Sequence, residues 1–482
     1  MNLADVQPLI DRQWDDDLVP RLVDYVRVPA KSPAFDAEWS AHGYLRQVVR
    51  SAHDWLVAQR IGGMTVEIIE IPGRTPCLFF DAPATGGLGD RRTVLFYGHL
   101  DKQPETSGWR DDLGPWKPVI ENGLLYGRGA ADDGYAVYAA AAVMQALDAR
   151  GVARPRCVGL IETCEESGSP DLPAYLELLA PRLGDVALVA GLDSGCGDYE
   201  RLWVTTSLRG LSGGVLTVQV LTEGVHSGLA SGLVPSSFRI ARRLLDRIDD
   251  STTGQVRDAA FHASIPDERL QQAHAAGAIL GDAVWTQFPW VGCSHGAEPH
   301  AHAQPTTRDP VEGILNRTWR PALSVTGGAG LPAIDTAGNV LRPRTALKLS
   351  LRLPPTVDAE RATREMKRLL EADPPYGASV TFDADWGASG WNAPPTAPWL
   401  ARAAAAASLG AFGREAAWIG EGGTIPFMNM LGTRFPAAQF LITGVLGPKS
   451  NAHGPNEFLH IGFAKRLTAA VAAVVAAVPG AA

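Results

Sequence analysis

Five short stretches of this chain gather imidazoles and carboxylates in patterns that could hold cations and move protons. Gly98-His99-Leu100-Asp101 offers a neutral imidazole as a metal ligand, with a carboxylate two positions on that can support it. Taken alone, the same residues read as a loop histidine and a turn aspartate. Gly127-Arg128-Gly129-Ala130-Ala131-Asp132-Asp133-Gly134 places two aspartates just before an alanine-rich run. Helix capping accounts for one of them, because a carboxylate satisfies free N–H groups and the helix dipole. Two are more than a cap needs, and a carboxylate there could bridge two cations with its two oxygens. In Cys164-Glu165-Glu166-Ser167-Gly168-Ser169 the adjacent carboxylates repel each other unless cations or solvent offset the charge. Either the turn is solvated, or one glutamate binds metal while its neighbour holds a water as general base. Asp193 in Gly191-Leu192-Asp193-Ser194-Gly195 and His453 in the stretch 449–457 complete the set. The two imidazoles of His99 and His453, with one aspartate of Asp132-Asp133, one glutamate of Glu165-Glu166 and Asp193, could together bind two divalent ions, zinc accepting such N and O ligands at ~2.0–2.2 Å.

Short β-branched runs must deliver these residues. Strands are expected at 65–71, 77–82, 93–97, 157–163 and 186–190, alternating with helical stretches as in a mostly parallel α/β sheet. Open sheets of this kind place ligands at the carboxyl ends of their strands, where these motifs fall. An alanine-dense helix is expected over 131–149, closed by Gly151. The alternation returns with a helix at 398–408 and a strand at 437–445, followed by a packed terminal helix over 467–478. Between these halves, 214–221 and 345–353 show period-two patterning and 237–248 reads as a helix, whereas 250–330 is rich in Gly, Pro, Ala and His without a strong period. The inference is an α/β catalytic domain formed by 1–208 and 394–482, with an α+β domain inserted at 209–393. His295, His300 and His302 fall in an expected surface loop, 293–307, where histidines seldom bind metal.

At 482 residues the chain exceeds the ~250–300 at which single cores stop growing, which fits two domains. A net charge of −9 argues against a nucleic-acid partner, whose footprint would be basic. Five scattered cysteines with no CxxC pair suggest buried thiols and a reducing compartment. The first twenty residues lack the basic-then-apolar pattern of a secretory signal, and the apolar C-terminal run is too short to span a bilayer. A cytoplasmic location without membrane contact is expected.

The motifs in order resemble the M20 metallopeptidases, and among them the cytosolic carnosine-type dipeptidases. The resemblance runs from about residue 90 to 460. It rests on Tyr97-Gly98-His99-Leu100-Asp101 with Gln103-Pro104, on 125–133 (LYGRGAADD), on Glu165-Glu166-Ser167-Gly168-Ser169 and on Asp193-Ser194-Gly195. It continues through Val225-His226-Ser227-Gly228, Ser350-Leu351-Arg352, Glu421-Gly422-Gly423-Thr424-Ile425-Pro426 and His453-Gly454-Pro455-Asn456-Glu457. It implies a zinc-exopeptidase-like catalytic domain with an inserted lid that also makes a homodimer contact. It implies two ions per subunit, zinc or else manganese or cobalt. Asp132 would bridge them, His99 and Asp193 would complete one set of ligands, and Glu166 and His453 the other. Glu165 would be the general base and acid, and Asp101 would orient His99. His226 would reach the partner subunit's site and stabilise the oxyanion. Arg352, supported by Asn339 and Thr424, would hold the substrate's terminal carboxylate. Lys102 and Tyr135 depart from the residues more usual at those positions, and no histidine lies between His302 and His453, where carnosine-type relatives use one near Trp391. These departures bear on the substrate and leave the metal centre intact.

The expected activity is hydrolysis of the amide bond in a dipeptide or similar short peptide with a free C-terminus. Two cations would lower the pKa of a water held between them towards ~7, and Glu165 would take its proton and return it to the leaving amine. An N-acyl-amino-acid deacylase or a carboxypeptidase could use the same centre. A non-catalytic, metal-stabilised binding protein is the alternative from another class, which the presence of Glu165 and every ligand disfavours.

Overall fold

The computed structural model describes residues 3–291 and 303–479, so the Cys293–His302 part of the histidine-rich loop lies outside the described residues. A six-stranded sheet lies at the centre, in the order Thr65–Ile69, Cys77–Ala82, Arg156–Glu162, Arg92–His99, Asp185–Gly191 and Gln439–Ile442. The last four strands are parallel; Cys77–Ala82 pairs antiparallel with Arg156–Glu162, and Thr65–Ile69 pairs antiparallel with Cys77–Ala82. Both faces are covered, as a parallel sheet requires. Along Arg92–His99, Val94 and Phe96 enter one core with the helices Leu3–Gln13, Tyr135–Ala149 and Ile461–Ala476. Leu95 and Tyr97 enter the other, beneath Leu172–Leu183 and Pro426–Arg434. That alternation is the two-residue period of a strand buried on both sides. Alanines over much of Tyr135–Ala149 let Ile461–Ala476 pack closely against it.

A second sheet is wholly antiparallel, ordered Ala322–Ala329, Arg344–Leu353, Gly210–Gln219 and Ser379–Ala388. Helices Ser237–Leu245 and Ala359–Glu371 close a separate core on it. The chain passes between the two sheets at Gly210 and Gly390, where backbones cross closely. A Cβ on Gly390 would stand 2.4 Å from the Leu208 carbonyl, so glycine is required.

Within 209–393 the chain packs in two places. The helices Asp267–Leu280 and Pro310–Thr318 lie against the strand Ala417–Glu421 and share the core of the central sheet. The stretch that lacked periodicity therefore contains helices, and the longer of them buries few large apolar side chains. In Asp267–Leu280 those residues are Arg269, Ala273, Ala276 and Gly277. A second departure concerns the helix expected over 131–149. It starts at Tyr135, because Asp132 (φ −124°, ψ 87°) and Asp133 (φ −131°, ψ 23°) leave helical geometry. The terminal helix begins earlier than expected, at Ile461, with the His460 ring accepting from the Phe463 N–H at 3.1 Å.

Candidate active site

The carboxyl ends of the parallel strands converge on one place. His99 ends its strand fully buried, and its Nδ1–H donates to the Asp101 backbone carbonyl at 3.1 Å. That bond turns Nε2 towards the carboxylates, 3.3 Å from Asp132 Oδ1 and 3.7 Å from Asp193 Oδ2. Asp132 caps no helix. Its second oxygen lies 2.9 Å from His453 Nε2, which in turn stands 3.3 Å from Glu166 Oε2. One carboxylate thus addresses a different histidine with each oxygen. Glu165 Oε2 lies 3.9 Å from His99 Nε2, beside the first group of donors.

The turn Glu165–Ser167 is fixed by Asp101, whose two oxygens accept the N–H groups of Glu165 (3.1 Å) and Glu166 (3.0 Å). The Asp101 carboxylate is 3.4 Å from His99 Nδ1. The histidine is therefore oriented by the Asp101 backbone carbonyl, while the Asp101 side chain anchors the glutamates. Gln103 donates to Glu166 Oε2 at 2.6 Å.

Burial dominates the electrostatics. It pushes the Glu165 carboxyl well up, with Asp193 adding to the effect, and raises Glu166 with help from Asp132. Asp193 is pushed up to about 6, again mainly by burial. At Asp132 burial also works against the charge, but the His453 and His99 imidazoles outweigh it and hold that carboxyl below its usual range. Burial likewise opposes charge on His99, yet Asp101 and Asp132 raise it well above an ordinary imidazole.

The donor set fits two divalent cations. His99, Asp132 and Glu166 bring ligand atoms within 4.8 Å of one another, and so do His99, Glu165 and Asp193. Atoms bound ~2.0–2.2 Å from a tetrahedral zinc stand about 3.4 Å apart, close to the 2.9–3.7 Å measured among His99, Asp132, Asp193, His453 and Glu166.

A cavity of about 670 Å³ opens onto these residues. Asp132, Glu165, Glu166, Asp193 and His453 line one part of it, and Arg352, Gly423, Thr424 and Ile425 another. Arg352 donates to Thr424 Oγ1 at 2.9 Å, so the structure brings those two together. It does not bring His226 or Asn339 to this cavity. Both are exposed, side by side where Val225–His226 pairs with Val340–Leu341, and the Asn339 carbonyl accepts the Ser227 N–H. Leu208 and Leu211 also line the cavity and were not singled out in the sequence, and Glu421, noted there only as part of a motif, lines it too. Lys102 points away from it. Its buried ammonium donates to the Tyr25 and Val28 carbonyls (2.7 and 2.8 Å) at the end of helix Val19–Val26. Tyr135 is likewise structural, its hydroxyl donating to the Leu192 carbonyl.

The fold and the convergent donors are those of a metal-dependent hydrolase, and residues 95–478 match the family model described as peptidase family M20/M25/M40. The chain belongs to that family. It is 26% identical over 395 residues to the cysteinylglycine-S-conjugate dipeptidase of Corynebacterium striatum, covering 78% of this chain and 80% of that one. The crystal structure of human carnosine dipeptidase 1 superposes with a TM-score of 0.77 at 21% identity, over 99% of this chain and 98% of that one. A solved structure of the dipeptidase Dug1p from Saccharomyces cerevisiae gives 0.74 at 21% identity, over 98% of each.

Proposed function

We propose that the protein is a two-metal dipeptidase, hydrolysing the amide bond of dipeptides or similarly short peptides that carry a free C-terminal carboxylate. One observation carries this reading: a single cavity has Asp132, His453 and Glu165 in one part of its wall, with His99 buried behind Asp132, and the Arg352 guanidinium in another. Family membership implies a dinuclear centre. The two ions, zinc by preference, supply Lewis-acid activation of water and of the scissile carbonyl when bound. His99, Asp193 and one oxygen of Asp132 would hold the first, and Glu166, His453 and the other oxygen of Asp132 the second. Glu165 takes the proton of the attacking water and returns it to the leaving amine; the burial that raises its carboxyl suits both tasks. Arg352, steadied by Thr424, grips the terminal carboxylate and orients the substrate.

The reading extends to a homodimer formed through the lid, with His226 completing the partner's site. Leu229, Leu233 and Ile334 are 85%, 85% and 96% exposed, and Ala322–Ala329 is an unpaired sheet edge; both features favour burial against a second copy. Cytoplasmic residence fits the four described cysteines, all unpaired and buried. No described helix is long and apolar enough to cross a membrane.

The test is a hydrolysis screen of apo-protein reloaded separately with zinc, manganese and cobalt, against dipeptides, N-acyl amino acids and longer peptides. Dipeptides should turn over fastest, and Glu165→Ala should retain metal while losing ~10²–10⁴-fold in kcat. Preference for acyl amino acids or longer peptides would favour a deacylase or carboxypeptidase, and substantial activity in Glu165→Ala would remove Glu165 as the base.

A further inference from the structure

Arg128 and Glu457 form an ion pair of 2.5 Å with side chains 1% and 0% exposed, and neither lines the cavity. A buried pair of this kind seldom adds much stability, since desolvation consumes most of the Coulombic gain. Its hydrogen bonds indicate another use. Arg128 Nη2 donates to the His453 carbonyl at 3.1 Å, the Gly454 carbonyl at 3.0 Å and Thr106 Oγ1 at 3.0 Å. Glu457 Oε1 accepts the Gly129 N–H at 2.8 Å, and its backbone carbonyl accepts the Gly127 N–H at 3.0 Å. Four of these five bonds join the loop that carries Asp132 to the loop that carries His453.

The second loop needs such a hold. Lys449, Asn451, His453 and Asn456 all adopt positive φ (66°, 55°, 63° and 60°), a conformation costing roughly 1–2 kcal/mol per non-glycine residue. The His453 side chain is 53% exposed, so packing does not fix it. His99, by contrast, is buried at the end of a strand paired on both sides.

We propose that Arg128 and Glu457 are positioning residues for the second metal subsite, clasping the His453 loop onto the Asp132 loop so that His453 Nε2 and Asp132 Oδ2 face one ion. The proposal rests on the two-ion reading above. It assigns the two subsites different supports, the sheet for the first and the clasp for the second. Loosening the clasp should therefore release one ion selectively.

The experiment uses the double variant Arg128→Met/Glu457→Gln, which leaves no unpaired buried charge and keeps an acceptor for the Gly129 N–H. Apo-proteins are titrated with zinc by calorimetry, and bound zinc is counted after dialysis. Wild type should bind two ions. The double variant should keep one at wild-type affinity and bind the other about 10–100-fold more weakly, matching His453→Ala. Leu244→Ala, a truncation in the separate core of the antiparallel sheet, should lower Tm and keep both. Two ions bound as tightly as in wild type, or a loss no different from that of Leu244→Ala, overturns the clasp. Should the double variant fail to fold, Arg128→Lys keeps a charge opposite Glu457 and gives up the fork that reaches the His453 and Gly454 carbonyls; unchanged second-ion affinity there also overturns the clasp. Fewer than two ions in wild type would sink the two-ion reading itself, which keeps the two failures apart.

Discussion

Arg352 gives the sharpest test of how the cavity reads its substrate. Its guanidinium is partly buried, and one Nη1 proton is occupied by Thr424 Oγ1 at 2.9 Å, leaving the rest of the fork for a carboxylate. Burial draws its pKa down, and no carboxylate among the described residues offsets that effect. Truncating one partner of a buried, hydrogen-bonded charge pair costs about 2–5 kcal/mol. Partial exposure favours the lower half, about 2–3 kcal/mol, or roughly 30- to 150-fold in kcat/KM at 1.36 kcal/mol per decade. The assay is a cycle between enzyme and substrate: kcat/KM for a dipeptide and for its C-terminal amide, on wild type and on Arg352→Met. Wild type should prefer the free acid by about that factor, and the variant should treat the two alike while hydrolysing the amide about as well as wild type does. If Arg352→Met still prefers the acid by the wild-type ratio, the carboxylate is bound elsewhere and the assigned orientation of the substrate is wrong.

Subunit exchange tests the lid: mixing inactive Glu165→Ala with inactive His226→Ala should restore activity, and no rescue despite confirmed exchange would mean that His226 does not act on its partner. Leu160→Ala, a fully buried truncation in the strand leading to the glutamate turn, should cost about 2–5 kcal/mol in a denaturant titration. A loss under 1 kcal/mol would contradict the packing described. Burial pushes the Glu162 carboxyl up to about 7 from its ordinary 4.5, against hydrogen bonds from Tyr97 and Ser169. The native state then holds this proton more tightly than the unfolded one, so the contribution is complete below pH 4.5 and declines by about 3 kcal/mol as pH rises to 7. Wild type should accordingly lose that much stability relative to Glu162→Gln across the same window, and a flat difference would refute the assignment.

The parts of the site legible in the sequence are those that geometry delivers locally. A parallel strand must release its next residues at the sheet's carboxyl edge, so a strand pattern followed by His99, Glu165 or Asp193 already fixes where that side chain goes. His453 is reached through a longer loop, and its place follows from the motif order rather than from any period. Arg128 and Glu457 show where such reasoning stops. Each is a charged residue inside a glycine-containing motif to which the sequence assigns no role, because nothing local says that a partner 329 positions away will bury it. A signal did exist: a glycine-rich turn has no apolar surface of its own to hold it in place, so a charge within it needs either water or a counter-charge. The same limit explains the missed helix Asp267–Leu280. Its buried face is spaced i, i+4, i+7 and i+8 as a helix demands, but Arg269, Ala273, Ala276 and Gly277 carry too little apolar surface to register as a stripe. Sequence periodicity reports how much hydrophobic area an element buries, whereas close approach of backbones depends on how little side chain stands between them. Elements that pack through small residues, or meet through one long-range ion pair, stay invisible until the chain is folded.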